Sequence, residues 1–561
     1  MRSRVLLVTA AMAVLALGVG LSTSGAARER ASTRTYLVLY EKGASKKSAH
    51  AAIKRAGGRI TTENRRIGLA SVRSKSSHFA TRVAGSKAVY GAARNRPIGT
   101  SYDRRPTDPF AIERMNAQRR ATTGERTRVN RAQVSAEPFA DLQWDMRMIH
   151  ATASESYARQ QGSHRVLVGV IDTGIDASHP DIAPNFRRSL SRNFTTDIPI
   201  IDGDCSTDPD GSCSDPADVD EDGHGTHVAG TIGAALNGLG MAGVAPKVGL
   251  VNLRAGQDSG FFFLKPTVDA LTYAGDHGVD VVNMSFYTDP WLYNCTANPA
   301  DTPEQQEEQR TVIRATQRAI NYARHRGVTP IAANGNENTD LGHPTSDATS
   351  PDFPPDTAHD RTVDNSCLSM PGEAKGVTGV NAIGPSFRKA YYSNYGVEQS
   401  DVSAPGGDRR DFFGTSRYNT PGNTVLAPYP KALAQAAGEL NPDGTPNTPF
   451  VLADCSKGPC AYYQYLQGTS MASPHAVGVA ALIVASHGKP DPSHRGLTLS
   501  PRKVQSVLEG TAQEHACPNP RTFTYPDPDL DSTYTARCEG SRDVNGFYGH
   551  GIVDALAAGG G

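Results

Sequence analysis

Apolar residues along this chain fall into two textures. Between Thr35 and Ala93 they form short alternating runs: a buried strand at Thr35–Tyr40, helical spacing at Ser45–Ala56, a strand at Ile67–Val72, a short helix at Ser77–Ala84 and a strand at Ala88–Ala93. This predicts a small α+β unit. From Asp141 the strands become unbroken apolar stretches, at Val166–Ile171, Val248–Leu253, Val279–Met284 and Val328–Ala333. Such runs suit a parallel sheet covered on both faces. Helical stretches separate them, as at Glu304–Arg326 and Ala472–Ala485. The alternation predicts an α/β fold, a doubly wound and mostly parallel sheet, preceded by the small α+β domain. Long loops are expected at 287–303, 338–372 and 408–463. The region 103–140, rich in Arg, Thr, Gln and Asn, reads as a linker.

The first 27 residues change the picture of the compartment. Met1–Arg4 is a short basic lead, Val5–Leu21 an apolar run, and Ser24–Ala27 a set of small residues. This is the pattern of a secretory signal peptide cut after Ala26 or Ala27, and it predicts an extracellular protein with no membrane attachment after cleavage. No other stretch reads as a membrane span. Eight cysteines, all at or after Cys205, then suggest disulfides. Short loops favour Cys205–Cys213, Cys455–Cys460 and Cys517–Cys538, leaving Cys295 with Cys367. Eight cysteines allow 105 pairings, and free thiols are the alternative. Among 561 residues, 38% are hydrophobic and 20% charged, which excludes a coiled coil, a collagen-like fibre and a wholly disordered chain.

Net charge is zero, but unevenly spread. Arg28–Arg131 holds 25 Lys/Arg against 7 Asp/Glu, whereas the chain from Ala132 holds 30 against 50. A basic front segment raises the question of nucleic acid, yet no reading motif accompanies it. The favoured reading is a basic segment facing its own acidic partner. Aspartates also crowd the Cys205–Cys213 region (Asp202, Asp204, Asp208, Asp210, Asp215, Asp218 and Asp220). Structural calcium is one option, with no ligand set specified and no known calcium-loop spacing. A solvated acidic loop is the preferred one, and no metal is assigned to the chemistry.

Three motifs carry the candidate chemistry. Asp172, in Val170-Ile-Asp-Thr-Gly-Ile-Asp176, ends a buried strand, where ligands of open α/β sheets gather. His224 lies in Asp222-Gly-His-Gly-Thr-His-Val-Ala-Gly230, and Ser470 in Gly468-Thr-Ser-Met-Ala-Ser-Pro-His475 at the start of an apolar helix. Singly these are a turn, a structural histidine and an N-cap serine. Together, in the order Asp, His, Ser, they match one of the known chain orders of a catalytic triad. The chain resembles the subtilases, the subtilisin-like serine proteases, from about Gln143 to the closing Gly549–Leu556, and its front unit resembles their inhibitory propeptide.

The resemblance implies four regions: a signal peptide at 1–27, a propeptide domain at 28–102, the linker at 103–140 and a peptidase domain at 141–561. It implies Ser470 as nucleophile, His224 as base, Asp172 as its orienting partner, and Asn336 in Ala333-Asn-Gly-Asn-Glu337 as oxyanion donor, with Gly335-Asn336-Glu337 setting the register against neighbouring Asn334. Ser285, Phe286, Tyr287, Ala333 and Gly335 would line the substrate cleft. Tyr287 stands where the family usually has glycine, so the resemblance leaves substrate preference open. The implied protein is a monomeric secreted endopeptidase made as a self-processing zymogen. It would act on proteins or peptides, be inhibited by its own propeptide and need no cofactor for the chemistry. An exopeptidase and a non-catalytic binding protein on the same scaffold are the alternatives.

Overall fold

The computed structural model describes residues 33–94, 113, 135–207, 211–353, 357–530 and 532–560. The signal-peptide reading, and the linker reading apart from Glu113 and its last residues, lie outside them. The front unit runs β1 (Arg34–Tyr40), α1 (Lys46–Arg55), β2 (Gly58–Asn64), β3 (Leu69–Ser74), α2 (Phe79–Ala84) and β4 (Val89–Arg94). Its four strands form an antiparallel sheet in the order β2-β3-β1-β4. The strand β2 was not anticipated. It is a sheet edge whose GRITTEN sequence buries only Asn64, so no apolar alternation marks it. One sheet face closes over α1 and α2 through Tyr36, Val38, Ile53, Val72 and Phe79.

The other face, with Leu37, Leu39, Ile67, Leu69 and Ala93, joins the apolar cluster of the following domain. There it packs on two helices, α4 (Leu264–Asp276) and α5 (Pro303–His325). The Nδ2 of Asn64 donates to Asp269 Oδ1 and Thr272 Oγ1, both at 2.8 Å, and Arg318 Nη1 donates to Tyr40 O at 2.7 Å. Among the described residues, Arg66–Asp276 at 2.8 Å is the one ion pair between the front unit's globular part and the helices. This interface is therefore chiefly apolar, despite the opposite charges of the two regions.

Seven parallel strands make the central sheet of the second domain: β5 (Leu167–Ile171), β6 (Arg192–Asn193), β7 (Gly249–Arg254), β8 (Val281–Met284), β9 (Thr329–Ala333), β10 (Thr378–Ile383) and β11 (Val402–Pro405). Their order is β11-β10-β9-β8-β5-β7-β6. From β5 the chain first forms the edge strand β6, returns to place β7 beside β5, and then crosses to build β8 to β11 outward on the other side, so the order reverses at β5. Open parallel sheets hold their sites at such reversals, beyond the carboxyl ends of the strands. Helix α5 begins with a capping box, Thr302 and Gln305, around Pro303 at its first position.

Helix α6 (Thr469–His487) is apolar on all sides, being buried from Thr469 to Val484. By length and composition it could cross a membrane, contrary to the expectation that no such stretch follows the first residues, yet here it is the core helix. The long 408–463 segment is not mere loop. It carries β12 (Val425–Tyr429) and β13 (Val451–Asp454), which pair antiparallel with β14 (Ala461–Leu466). Residues 135–140, read as linker, already belong to the second domain, where Phe139 N–H donates to Gly240 O and its ring meets Tyr463. All four expected disulfides are formed, and no free cysteine remains.

Candidate active site

Asp172 immediately follows β5, and its Oδ1 lies 2.7 Å from His224 Nδ1. His224 opens helix α3 (His224–Gly233) after Gly223, whose φ of 97° is a conformation that glycine reaches without strain. That turn is clamped by Asp220, a residue the motif reading treated only as loop acidity. Its Oδ1 accepts from Thr173 Oγ1 and Gly223 N–H, and its Oδ2 from Thr226 N–H and Oγ1. Asp220 thus ties the loop before His224 to the turn after Asp172. The signal was available, since a buried polar hub needs an acceptor-rich side chain close to both motifs.

Ser470 is the second residue of α6, and a break in that helix shapes its surroundings. Pro474 lies four residues on and has no N–H, so it cannot donate to the Ser470 carbonyl. Ser285 Oγ donates to that carbonyl instead, at 3.1 Å, while accepting from Asn283 Nδ2 at 2.9 Å. Asn283 Oδ1 in turn accepts from Ser473 Oγ at 2.8 Å. The Asn283-Met-Ser285 segment at the end of β8 is therefore a brace for Ser470 as well as a cleft wall.

Asn336 has its amide oxygen held by Thr469, which donates from N–H and Oγ1, each at 2.9 Å. That leaves its Nδ2 facing Ser470. Asn334 instead donates to Asn381 Oδ1 and Gln399 O, as the chosen register requires. Ser285, Phe286, Tyr287, Ala333 and Gly335 all line one cleft with Asn336 and Ser470. Phe286 stacks on Phe262 at 4.0 Å, and the Tyr287 hydroxyl donates to Asp352 Oδ2 at 2.7 Å.

One occupant of this site was missed. Glu113, from the region read as linker, is 2% exposed and enters the centre. Its Oε1 accepts from Ser470 Oγ at 2.6 Å and from Asn336 Nδ2 at 2.9 Å, while Oε2 lies 3.1 Å from His224 Nε2. This carboxylate oxygen stands in for the oxygen of a reacting carbonyl or its tetrahedral adduct. Burial alone would lower the His224 pKa, but the Asp172 and Glu113 carboxylates outweigh it and lift it well above the ordinary value. Burial raises the Asp172 carboxyl, opposed by its contacts with His224 and Thr173 N–H. Nothing in the local sequence of Glu113 marks it, because a lone glutamate in an Arg-rich stretch has no motif.

Several described acids of this region have protein partners. Asp197, Asp215 and Asp258 converge, but on the buried Arg254 guanidinium, which fills the centre of the cluster with positive charge. Asp218 pairs with Arg188, and Asp202 accepts from Ser259 and the Ile198 N–H. Asp208 and Asp210 lie outside the described residues.

Known proteins bear on the site as follows. Residues 163–551 match the Subtilase family. Subtilisin DY of Bacillus licheniformis is 27% identical over 348 residues, which are 62% of this chain and 83% of that protein. The thermophilic serine proteinase of Bacillus sp. (strain AK1) is also 27% identical, over 63% of this chain, which spans 56% of that relative's length. The crystal structure of the epidermin leader peptide processing serine protease of Staphylococcus aureus superposes with a TM-score of 0.59 at 20% identity, covering 94% of this chain and 97% of that one. With two thirds of its length in that match and the Asp172–His224 contact and Ser470 at one cleft, this chain belongs to the subtilase family of subtilisin-like serine proteases.

Proposed function

We propose that the protein is a secreted serine endopeptidase, made as a self-processing zymogen, that cleaves proteins or peptides through Asp172, His224 and Ser470. One observation carries this reading: a single anionic oxygen is bound by Ser470 Oγ and Asn336 Nδ2 beside a histidine held by a buried aspartate. In the reaction, His224 Nε2 takes the proton of Ser470 Oγ as that oxygen attacks the scissile carbonyl carbon. Asp172 holds the Nδ1 proton and stabilises the imidazolium. The carbonyl oxygen becomes an oxyanion, received by Asn336 Nδ2 and the Ser470 N–H at the start of α6. Collapse of the adduct expels the amine, which takes the proton from His224. Water then cleaves the acyl-enzyme by the same route in reverse.

The front domain, docked on α4 and α5, fits the role of a propeptide, and four disulfides fit an oxidising, extracellular compartment. A phosphonate probe should label the mature protein and fail to label Ser470→Ala, which should accumulate as an unprocessed precursor. Labelling that persists in Ser470→Ala would refute the assignment. Digestion of an unfolded protein, read by mass spectrometry, should give internal cuts. End-trimming alone would establish the exopeptidase alternative.

A further inference from the structure

The cleft beside Ser470 is more acidic than the triad requires. Its cavity volume is about 180 Å3. Besides Glu113 at its catalytic end, its lining includes Asp289, Glu337 and Glu373, and no Lys, Arg or His among the described residues. Asp289 is 4% exposed. Its Oδ2 accepts the Phe262 N–H, but its buried Oδ1 meets no donor, and its carboxyl lies against that of Asp352. Asp352 is itself held by Tyr287. Glu373 accepts only the Ser369 N–H among the described bonds, at 2.7 Å, and burial pushes its pKa up to about 7. Glu337 stands at the rim, bonded to Asn394 Nδ2 at 2.6 Å.

Several buried carboxylates elsewhere in this protein are given a cation. Arg254 serves Asp197, Asp215 and Asp258, Arg361 serves Asp301 and Asp347, and Arg388 serves Asp408. Withdrawing a carboxylate from water without such a partner is costly. Asp280 and Asp401, which each accept a backbone N–H and are in no ion pair among the described residues, do not line the cleft, whereas Asp289 and Glu373 line it and are open to completion from outside.

We propose that this cleft selects an arginine or lysine side chain on the acyl side of the scissile bond, with Asp289 and Glu373 as its specificity-determining residues. This deepens the protease reading and rests on it. The aliphatic stem of such a side chain lies along Phe262, Leu292 and Leu341, and its charged head reaches the carboxylates. An apolar side chain in the same place would seal the acids from water and return nothing. Tyr287, where the family usually has glycine, carries the hydroxyl that fixes Asp352 behind Asp289. The chain's own sequence supplies suitable bonds, with eight arginines between residues 103 and 131.

The test compares two peptides that differ only in arginine or citrulline, a neutral isostere, at the residue donating the scissile carbonyl. For the mature enzyme, kcat/KM should favour arginine by about 30-fold or more, the scale for an ion pair desolvated in a binding site. Glu373→Gln and Asp289→Asn should each shrink that ratio, mainly through the arginine peptide. Equal kcat/KM for the two peptides, in an enzyme that labels normally with the phosphonate probe, would overturn the proposal without touching the protease reading. Loss of both labelling and protein digestion by the wild type would overturn both. The wild-type comparison needs no variant to fold.

Discussion

Asp172, His224 and Ser470 come together as their motifs require, but Glu113 decides what state they are in. The Ser470 hydroxyl has one hydrogen, and while it is donated to Glu113 Oε1 it is not available to His224. His224 is meanwhile held as imidazolium between two carboxylates. A charged imidazole cannot act as the base. On the proposed mechanism the seated Glu113 is an inhibited arrangement, and its pH dependence has a definite sign. A histidine whose pKa is raised by the contact contributes stability to it that is fully present below the free value of about 6.5. That stability is lost as pH rises through the raised value. Precursor labelling by the phosphonate probe should therefore speed up toward alkaline pH. Glu113→Gln, which keeps the size and removes the charge, should label faster than wild type and show a flatter pH profile. Equal rates and equal profiles for the two precursors would show that Glu113 does not guard the site.

At the level of elements, the brace between β8 and α6 is the feature that makes Ser470 rigid. Ser285 Oγ supplies the donor that Pro474 withholds from the Ser470 carbonyl. Ser285→Ala should strand that buried carbonyl at a cost of about 1–3 kcal/mol. The loss would appear as a lower melting temperature and a lower kcat/KM. Pro474→Ala restores a backbone N–H at the position four residues after Ser470, so the double variant should lose less than Ser285→Ala alone. Strict additivity of the two changes would remove the brace from the account. Helices α5 and α6 were both anticipated from apolar spacing, although α6 extends beyond its expected ends. The edge strand β2 and the sheet β12–β14 were not. In β2, pairing to a neighbour, rather than a face of apolar residues, is what makes the segment a strand, whereas β12 and β14 are buried, with Leu426, Tyr463 and Tyr465 in one apolar cluster.

Over the whole molecule, disulfides tie the long insertions to the domain. Cys295–Cys367 closes 72 residues and joins the loop after β8 to the segment before β10, beside Leu292 and Leu341 of the cleft. Cys455–Cys460 closes only 5. Loop-closure entropy assigns about 4 kcal/mol to the first and about 2 kcal/mol to the second. Serine replacements of each pair, made in the Ser470→Ala background to prevent self-digestion, should lower the denaturant midpoint in that order. The Cys295/Cys367 pair, replaced in active enzyme, should also raise KM, because it frames the cleft. A larger loss for the Cys455/Cys460 pair would contradict the loop-length argument.

The meeting of Asp172 and His224, the presence of Asn336 and Ser470 at one cleft, the doubly wound sheet and the disulfide pairs were legible in the chain itself. Each is written locally, in glycine-flanked motifs, unbroken apolar strands or short cysteine spacings, so no distant residue had to be known. What the tertiary structure alone decided lies between segments far apart in sequence. Glu113 reaches Ser470 across 357 positions. Among the described residues Asp289 is in no ion pair although the sequence is full of cations, and of the aspartates around Cys205 it is Asp215 that pairs with Arg254 and Asp218 with Arg188. The opposite charges of the two regions suggest electrostatic help in docking, and the docked contact of the described front unit adds Leu37, Leu39 and Leu69. Net charge counts residues wherever they sit, whereas burial and pairing depend on which of them the fold brings within a few ångströms.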